Sequence, residues 1–171
     1  MINMKLKKTF YTQDVLIVAP SLIGKLLCRK LPNKEILKYR IIETEAYKGE
    51  QDTACHAHKG KTLRTEVMYH NGGCAYIYFV YGMHYLLNVV TGKENEPQAV
   101  LIRSVEGFNG PAKLTKAMQI DKSLNGADLL ANQLWIEDDG FIAKLKASKR
   151  IGIDYACDIY KNIEWRWTIS N

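Results

Sequence analysis

The sequence predicts an α+β fold in a single domain, and three observations lead there. Short runs rich in Val, Ile, Tyr and Phe recur from one end of the chain to the other, as β-strands require. Only two or three stretches carry a helical rhythm. The 171 residues contain no internal repeat, low-complexity tract or long linker, and one hydrophobic core can serve that length.

Taken in order, "TQDVLIVAPSLIG" is the first helix, with Thr12 as its cap and Pro20 bending or ending it. Gly24 closes it, and "KLLCRKL" is the strand that follows. Pro32-Asn33 marks a turn, and Lys38 to Tyr47 forms the next strand. Alternation along that strand places Ile42, Thr44 and Ala46 on one face, with Glu43, Glu45 and Tyr47 on the other. "KGEQDTACHAHKGKTLRTEV" shows no periodicity and reads as a long polar connection, of the kind that carries function or moves. "CAYIYFVYGMHYLLNVVTG" is two β-runs joined around Gly82-Met83, and "QAVLIRSVE" is a strand with Arg103 near its end. "NGPAKLTKAM" starts a helix with Pro111 in its first turn. "LWIED", "FIAKLKA" and "IEWRWTI" supply further short strands.

A composition of 47% hydrophobic and 25% charged residues is that of an ordinary soluble protein, and no apolar run approaches the ~18 residues that cross a bilayer. The basic start "MINMKLKKTFYTQDVLIV" is broken by Asp14 and has no small-residue cleavage site, so no export signal is read. Cys28, Cys55, Cys74 and Cys157 are scattered without a CxxC pair, which fits reduced thiols. The expectation is a cytoplasmic protein, nucleoid-associated in a bacterium, with no membrane contact. The net charge of +6 is uneven: residues 1–40 hold nine Lys/Arg against two Asp/Glu, and residues 41–100 hold five against seven. A basic flank beside a neutral-to-acidic middle suits a protein that docks a polyanion around a separate chemical site.

Four patterns could carry chemistry. Cys55, His56, His58, His70 and Cys74 lie close together, but adjacent and two-apart ligands are not the spacing of zinc motifs. There is no GxSxG elbow, and "SLIGK" lacks the second glycine of a phosphate loop. Tyr69, Tyr76, Tyr78, Tyr81 and Tyr85 are either an aromatic sheet face or a platform on which bases stack. "ETEAY" is either a solvent-facing row or a place where buried carboxylates are paired or used. On these residues alone both alternatives stay open.

Read together, "ETEAY", a histidine eleven residues beyond its second glutamate, "AYIYFVYGMHYLLNVV", "AVLIR", "GPAKLTKA" and the late "RIGIDYA…WRW" resemble the alkyladenine (3-methyladenine) DNA glycosylase family. The resemblance spans about Asp14 to Thr168. It implies a mostly antiparallel curved sheet, a few flanking helices and a protruding hairpin near Tyr78–Tyr85 that enters duplex DNA.

Carried over by residue, the resemblance makes Glu45 the base that activates water and Arg103 the group that holds that water and a nearby phosphate. The carbonyl of Ile151 is the water's other partner. Tyr47, His56 and Tyr78 form the slot for an extruded base, Asn88 lines its floor and Tyr81 is the wedge. Glu43 has no catalytic part. The implied partner is double-stranded DNA containing damaged purines, met by a monomer that needs no metal or other cofactor. Three positions depart from the family pattern: Thr62-Leu63-Arg64 replaces Thr-Pro-Arg, Pro20 falls inside a helix, and His58 stands where some relatives have arginine. Two other classes remain: a non-catalytic nucleic-acid-binding module, and a metal-dependent hydrolase built on His56, His58, His70 and a cysteine.

Overall fold

The computed structural model describes residues 3–170; residues 1–2 and 171, the extremes of the expected domain, lie outside the described residues. Among the described residues ten strands make one antiparallel sheet. Its main path runs β1 (Met4–Lys5), β8 (Leu134–Asp138), β2 (Leu26–Lys30), β3 (Ile36–Lys48), β6 (Gln98–Val105), β5 (His84–Thr91) and β4 (Ala75–Val80). β7 (Phe108–Asn109) pairs with β6, and β10 (Arg166–Ile169) pairs with both β3 and β9 (Leu145–Ser148). Four short α-helices accompany it among the described residues: α1 (Lys8–Tyr11), α2 (Val15–Leu22), α3 (Pro111–Ala117) and α4 (Asp158–Asn162). The α+β expectation holds, with the sheet mostly antiparallel and open.

β3 is the longest strand at 13 residues and organises the rest. Its residues 36–40 pair with β2, its residues 41–48 with β6, and Glu43–Glu45 with β10. Register breaks around Glu43 interrupt the regular alternation. The expected inward Ile42 is therefore only half-buried, and Ile41 fills the core instead. Thr44 and Ala46 do face inward, and the Thr44 hydroxyl donates to the Ala19 carbonyl of α2 at 2.9 Å.

Beyond the break, register assigns a job to each face. Ala46, Val100, Val89 and Ala75 stand opposite one another across β3, β6, β5 and β4, and all four are in the hydrophobic core beneath α2 and α3. The adjacent row, Glu45, Leu101, Asn88 and Tyr76, necessarily points the other way. That second row is the foundation of the site.

Two local expectations are corrected. The cap of α2 is Asp14, whose side chain accepts the Leu16 N–H; Thr12 instead follows α1, a single turn too short to show periodicity. Pro20 lies inside α2, as read from the sequence, and the helix ends two residues later at Leu22. The strand expected in "FIAKLKA" begins only at Leu145, and Phe141 packs against the Arg40 guanidinium at 4.3 Å. Pro111 does start α3.

One glycine shows how tightly the ends of the core interlock. A Cβ on Gly72 would lie 2.2 Å from the Tyr11 carbonyl oxygen and 3.0 Å from that of Gly92. Both are backbone atoms tied by hydrogen bonds, Gly92 N–H to Tyr11 at 3.0 Å and Gly72 N–H to Gly92 at 2.9 Å. Neither can yield alone. Gly72→Ala is expected to destabilise by at least the ~1–3 kcal/mol of ordinary overpacking, measured by chemical denaturation. A variant as stable as the parent would contradict this close approach.

Candidate active site

The long connection after β3 is anchored at several points. Two 3₁₀ turns, His56–Lys59 and Glu66–Tyr69, order it, and Tyr69 donates its hydroxyl to Glu50 at 2.6 Å. The connection folds over the Tyr76–Asn88 face and closes a cavity of about 340 Å³, within the size range of small-molecule sites. Tyr47, His56, Tyr78, Tyr81, Asn88, Arg103 and Ile151 all line it.

The aromatic walls come from two elements. Tyr76 and Tyr78 sit two apart on β4 with ring centres 5.6 Å apart, and His56 meets Tyr78 edge-on at 4.4 Å. His56 Nδ1 lies 3.0 Å from the Tyr76 hydroxyl. Burial, reinforced by the Arg64 charge, pushes His56 down to about 4, so its ring is neutral near pH 7. The Tyr47 and Tyr78 hydroxyls are pushed up, mainly by burial, and stay protonated. Asn88 is buried and donates to the Tyr76 carbonyl at 3.2 Å, which fixes its amide at the floor. Tyr81 sits in the β4–β5 turn and is 87% exposed.

Glu45 has no exposed surface and contributes none to the cavity; it lies one layer behind Tyr47, Arg103 and Ile151. Its Oε1 accepts the Ile151 N–H at 2.7 Å and its Oε2 accepts the Tyr47 hydroxyl at 2.7 Å. Arg103 Nη1 is 3.6 Å from Oε2. The main chain of Ile151 thus reaches Glu45 through its amide. Burial raises the Glu45 carboxyl above its ordinary value; Arg103, the Ile151 amide and the Tyr47 hydroxyl pull it back only in part.

Glu43 takes the opposite course on the same strand. Arg166 Nε donates to its Oε1 at 2.6 Å and the Ser104 hydroxyl to its Oε2 at 2.7 Å, while Arg103 Nε lies 3.3 Å away. Burial alone would raise it, yet Ser104 and the two arginines hold it below the usual carboxylate range. Two carboxylates two residues apart are therefore driven apart in acidity, the pattern that separates an acid–base group from a structural one. Glu43 also anchors Arg103 between the two.

The histidines and cysteines of the alternative metal reading do not converge. His58 turns to the Glu50 carbonyl, His70 is exposed, and Cys55 and Cys74 are buried. Among the described residues no three His, Cys, Asp or Glu side chains are placed to share an ion.

Sequence reasoning missed three contributors. Arg64 lies 5.8 Å from the Tyr78 ring centre, and Asp52 and Arg150 form a fully buried ion pair beside Tyr47. A lone charge in a polar loop has no periodicity to betray its burial, and its partner lies 98 residues away.

A carboxylate of raised pKa thus stands behind an aromatic-walled cavity with an exposed aromatic at its rim. The family model that matches this chain, over residues 9–109 and 106–171, is methylpurine-DNA glycosylase (MPG). The chain belongs to that family. It is 47% identical to a relative from Borrelia garinii subsp. bavariensis, covering 95% of this chain and 94% of the relative. A relative from Psychrobacter cryohalolentis is 44% identical over 89% and 86%. One from Methanocella arvoryzae is 45% identical over 88% and 86%. All three bear the name "Putative 3-methyladenine DNA glycosylase".

Proposed function

We propose that this protein excises alkylated or deaminated purines from double-stranded DNA. It extrudes the damaged nucleotide, hydrolyses its N-glycosidic bond and leaves the strand uncut. The observation that carries this reading is Glu45, a buried carboxylate with raised pKa, fixed by two short hydrogen bonds behind the aromatic cavity.

A base sealed in the stack must be rotated out, at a cost of a few kcal/mol that is smallest for damaged or mispaired bases. Tyr81 fills the gap, and Tyr47, His56 and Tyr78 stack on the extruded ring. Asn88, pinned to Tyr76, penalises the exocyclic amine of guanine. Bond breaking gives the sugar oxocarbenium character, which an ionised Glu45 stabilises while taking a proton from water. Two hydrogen bonds leave Glu45 acceptor capacity for that water. Arg103 and the carbonyl of Ile151 orient it, and Arg103 also meets a phosphate. Among the described residues no lysine lines the cavity, which suits base excision without a Schiff-base step; the enzyme acts as a cytoplasmic monomer without a cofactor.

Neither His56, neutral near pH 7, nor the Tyr47 and Tyr78 hydroxyls, harder to ionise than usual, is a ready acid for a leaving base. Cationic lesions such as 3-methyladenine, which leave without protonation, are therefore expected to go faster than neutral hypoxanthine or ethenoadenine. The test is single-turnover base release in EDTA from methylated DNA and from a duplex with one hypoxanthine. Release from methylated DNA, faster than from hypoxanthine, is the expected result. Tight binding without release from either would support the binding-module alternative instead, and chelator-sensitive release the metal hydrolase. Binding should also weaken steeply with salt, each phosphate contact adding about −0.9 to the log–log slope; a flat response would remove the basic flank from the interface.

A further inference from the structure

The groups that hold Glu45 are themselves held. Arg150, immediately before Ile151, has a fully buried side chain in a forked ion pair with equally buried Asp52. Nη1 donates to Oδ2 at 2.6 Å and Nη2 to Oδ1 at 3.0 Å. Nη1 also donates to the Ala46 carbonyl at 2.9 Å, and Nη2 to that of Tyr160 at 3.2 Å. The guanidinium lies 4.8 Å from the Tyr47 ring centre and 5.2 Å from that of Trp165. Asp52 in turn accepts the N–H groups of Lys48 and Ala54, each at 3.0 Å.

These ties converge on the site. Ala46 follows Glu45, Tyr47 donates to it, Ile151 follows Arg150, and Ala54 lines the cavity. Stability alone explains the pair poorly, because well-packed apolar residues in place of a buried ion pair are often as stable or more so. What an apolar pair lacks is the fork, which fixes direction as well as distance. The geometry points to Asp52 and Arg150 as a positioning pair that sets the Ile151 amide and the Tyr47 hydroxyl on Glu45, and so aims its remaining lone pairs at the attacking water.

This inference rests on the proposed glycosylase reading. Around Glu45 stand Arg103 from β6, Tyr78 from β4, Tyr47 on its own strand, and Arg150 and Tyr155 from the chain before α4. Glu43, the next carboxylate on β3, is occupied by Arg166 and Arg103. The pair controls the Ile151 and Tyr47 contacts, and Arg150 also adds its own positive charge, which Arg150→Lys keeps. Loosening it removes donors from the ionised form of Glu45, so the acid limb of the pH–rate profile moves to higher pH.

The experiment compares wild type, Arg150→Lys, Asp52→Asn and Glu45→Gln in single-turnover release from methylated duplex at saturating enzyme, as a function of pH. Thermal melting and binding to an abasic duplex accompany it. The expected result is cooperative melting, binding within a few-fold of wild type and release slower by about 10²-fold in both pair variants, with an upward-shifted acid limb in Arg150→Lys, where the charge beside Glu45 is kept. Glu45→Gln should lack that limb. Folded pair variants with wild-type rate and limb would overturn the proposal. So would a slower rate with an unmoved limb in Arg150→Lys, or loss of the fold in both variants, since the pair would then serve folding alone. Absence of release from wild type would fail the glycosylase reading instead. The pair is then judged by infrared titration of the Glu45 carboxyl, an unshifted carboxyl in Arg150→Lys overturning it.

Discussion

Glu45→Gln is expected to slow base release by about 10²–10⁴-fold, the contribution of a positioned general base, while binding to lesion-containing duplex stays within a few-fold of wild type. Gln keeps an acceptor for the Ile151 amide, so the wall of the cavity stands. It cannot take a proton from water or balance positive charge at the sugar. Single-turnover kinetics with saturating enzyme isolates that step from binding. A variant that retains even a tenth of the rate would move the catalytic base elsewhere.

The same substitution is expected to leave the melting temperature equal or higher near pH 7. Burial raises the folded-state pKa of Glu45 above its unfolded value. Between those two values the native state binds more protons, so stability falls as pH rises through that window. Gln removes the slope along with the charge. His56 runs the other way: its folded pKa is lowered from 6.5 to about 4, so stability is lost as pH falls through that interval. Glu43, held low by Ser104 and the arginines, adds acid sensitivity below the ordinary carboxylate range. Melting curves across pH for wild type and Glu45→Gln would separate these contributions; a variant destabilised near pH 7 would contradict the burial penalty.

How far the sequence discloses this arrangement depends on distance along the chain. The strand carrying Glu45, the Pro111 helix and the hairpin around Gly82 have local causes: β-branched content, a proline suited to a first turn, a glycine in a turn. The faces of Glu45 and Tyr47 follow from alternation, and they survive the register break that displaces Ile42 because the break lies N-terminal to both. The burial of Glu45 does not follow from alternation. It depends on Arg103, Tyr47 and Ile151 meeting over it, and Ile151 comes from 106 residues away. The Asp52–Arg150 pair is equally non-local, and a charged residue in a polar connection looks the same whether solvated or buried.

Tyr81→Gly is expected to slow excision from an intact duplex by about 10- to 100-fold without loss of stability. Tyr81 is 87% exposed and has φ of +52°, with Gly82 at +65° and the Met83 N–H bonded to the Val80 carbonyl at 3.2 Å. That is the pattern of a type I′ turn, usually filled by Asn-Gly. A tyrosine in this left-handed conformation carries about 1–2 kcal/mol of strain. Glycine relieves it and gives back about 0.4–1 kcal/mol through a freer unfolded chain, so the variant should be as stable or slightly more so. A bulky residue kept in a conformation it disfavours, at the exposed turn of a hairpin, is the kind of backbone outlier that points towards function. If its role is to occupy the gap left by an extruded base, the lost stacking is worth about 1–3 kcal/mol. The deficit should then shrink on a mismatched or single-stranded lesion, where less stacking must be replaced. Equal slowing on paired, mismatched and single-stranded substrates would assign Tyr81 to general binding and leave the strain of the turn without a purpose.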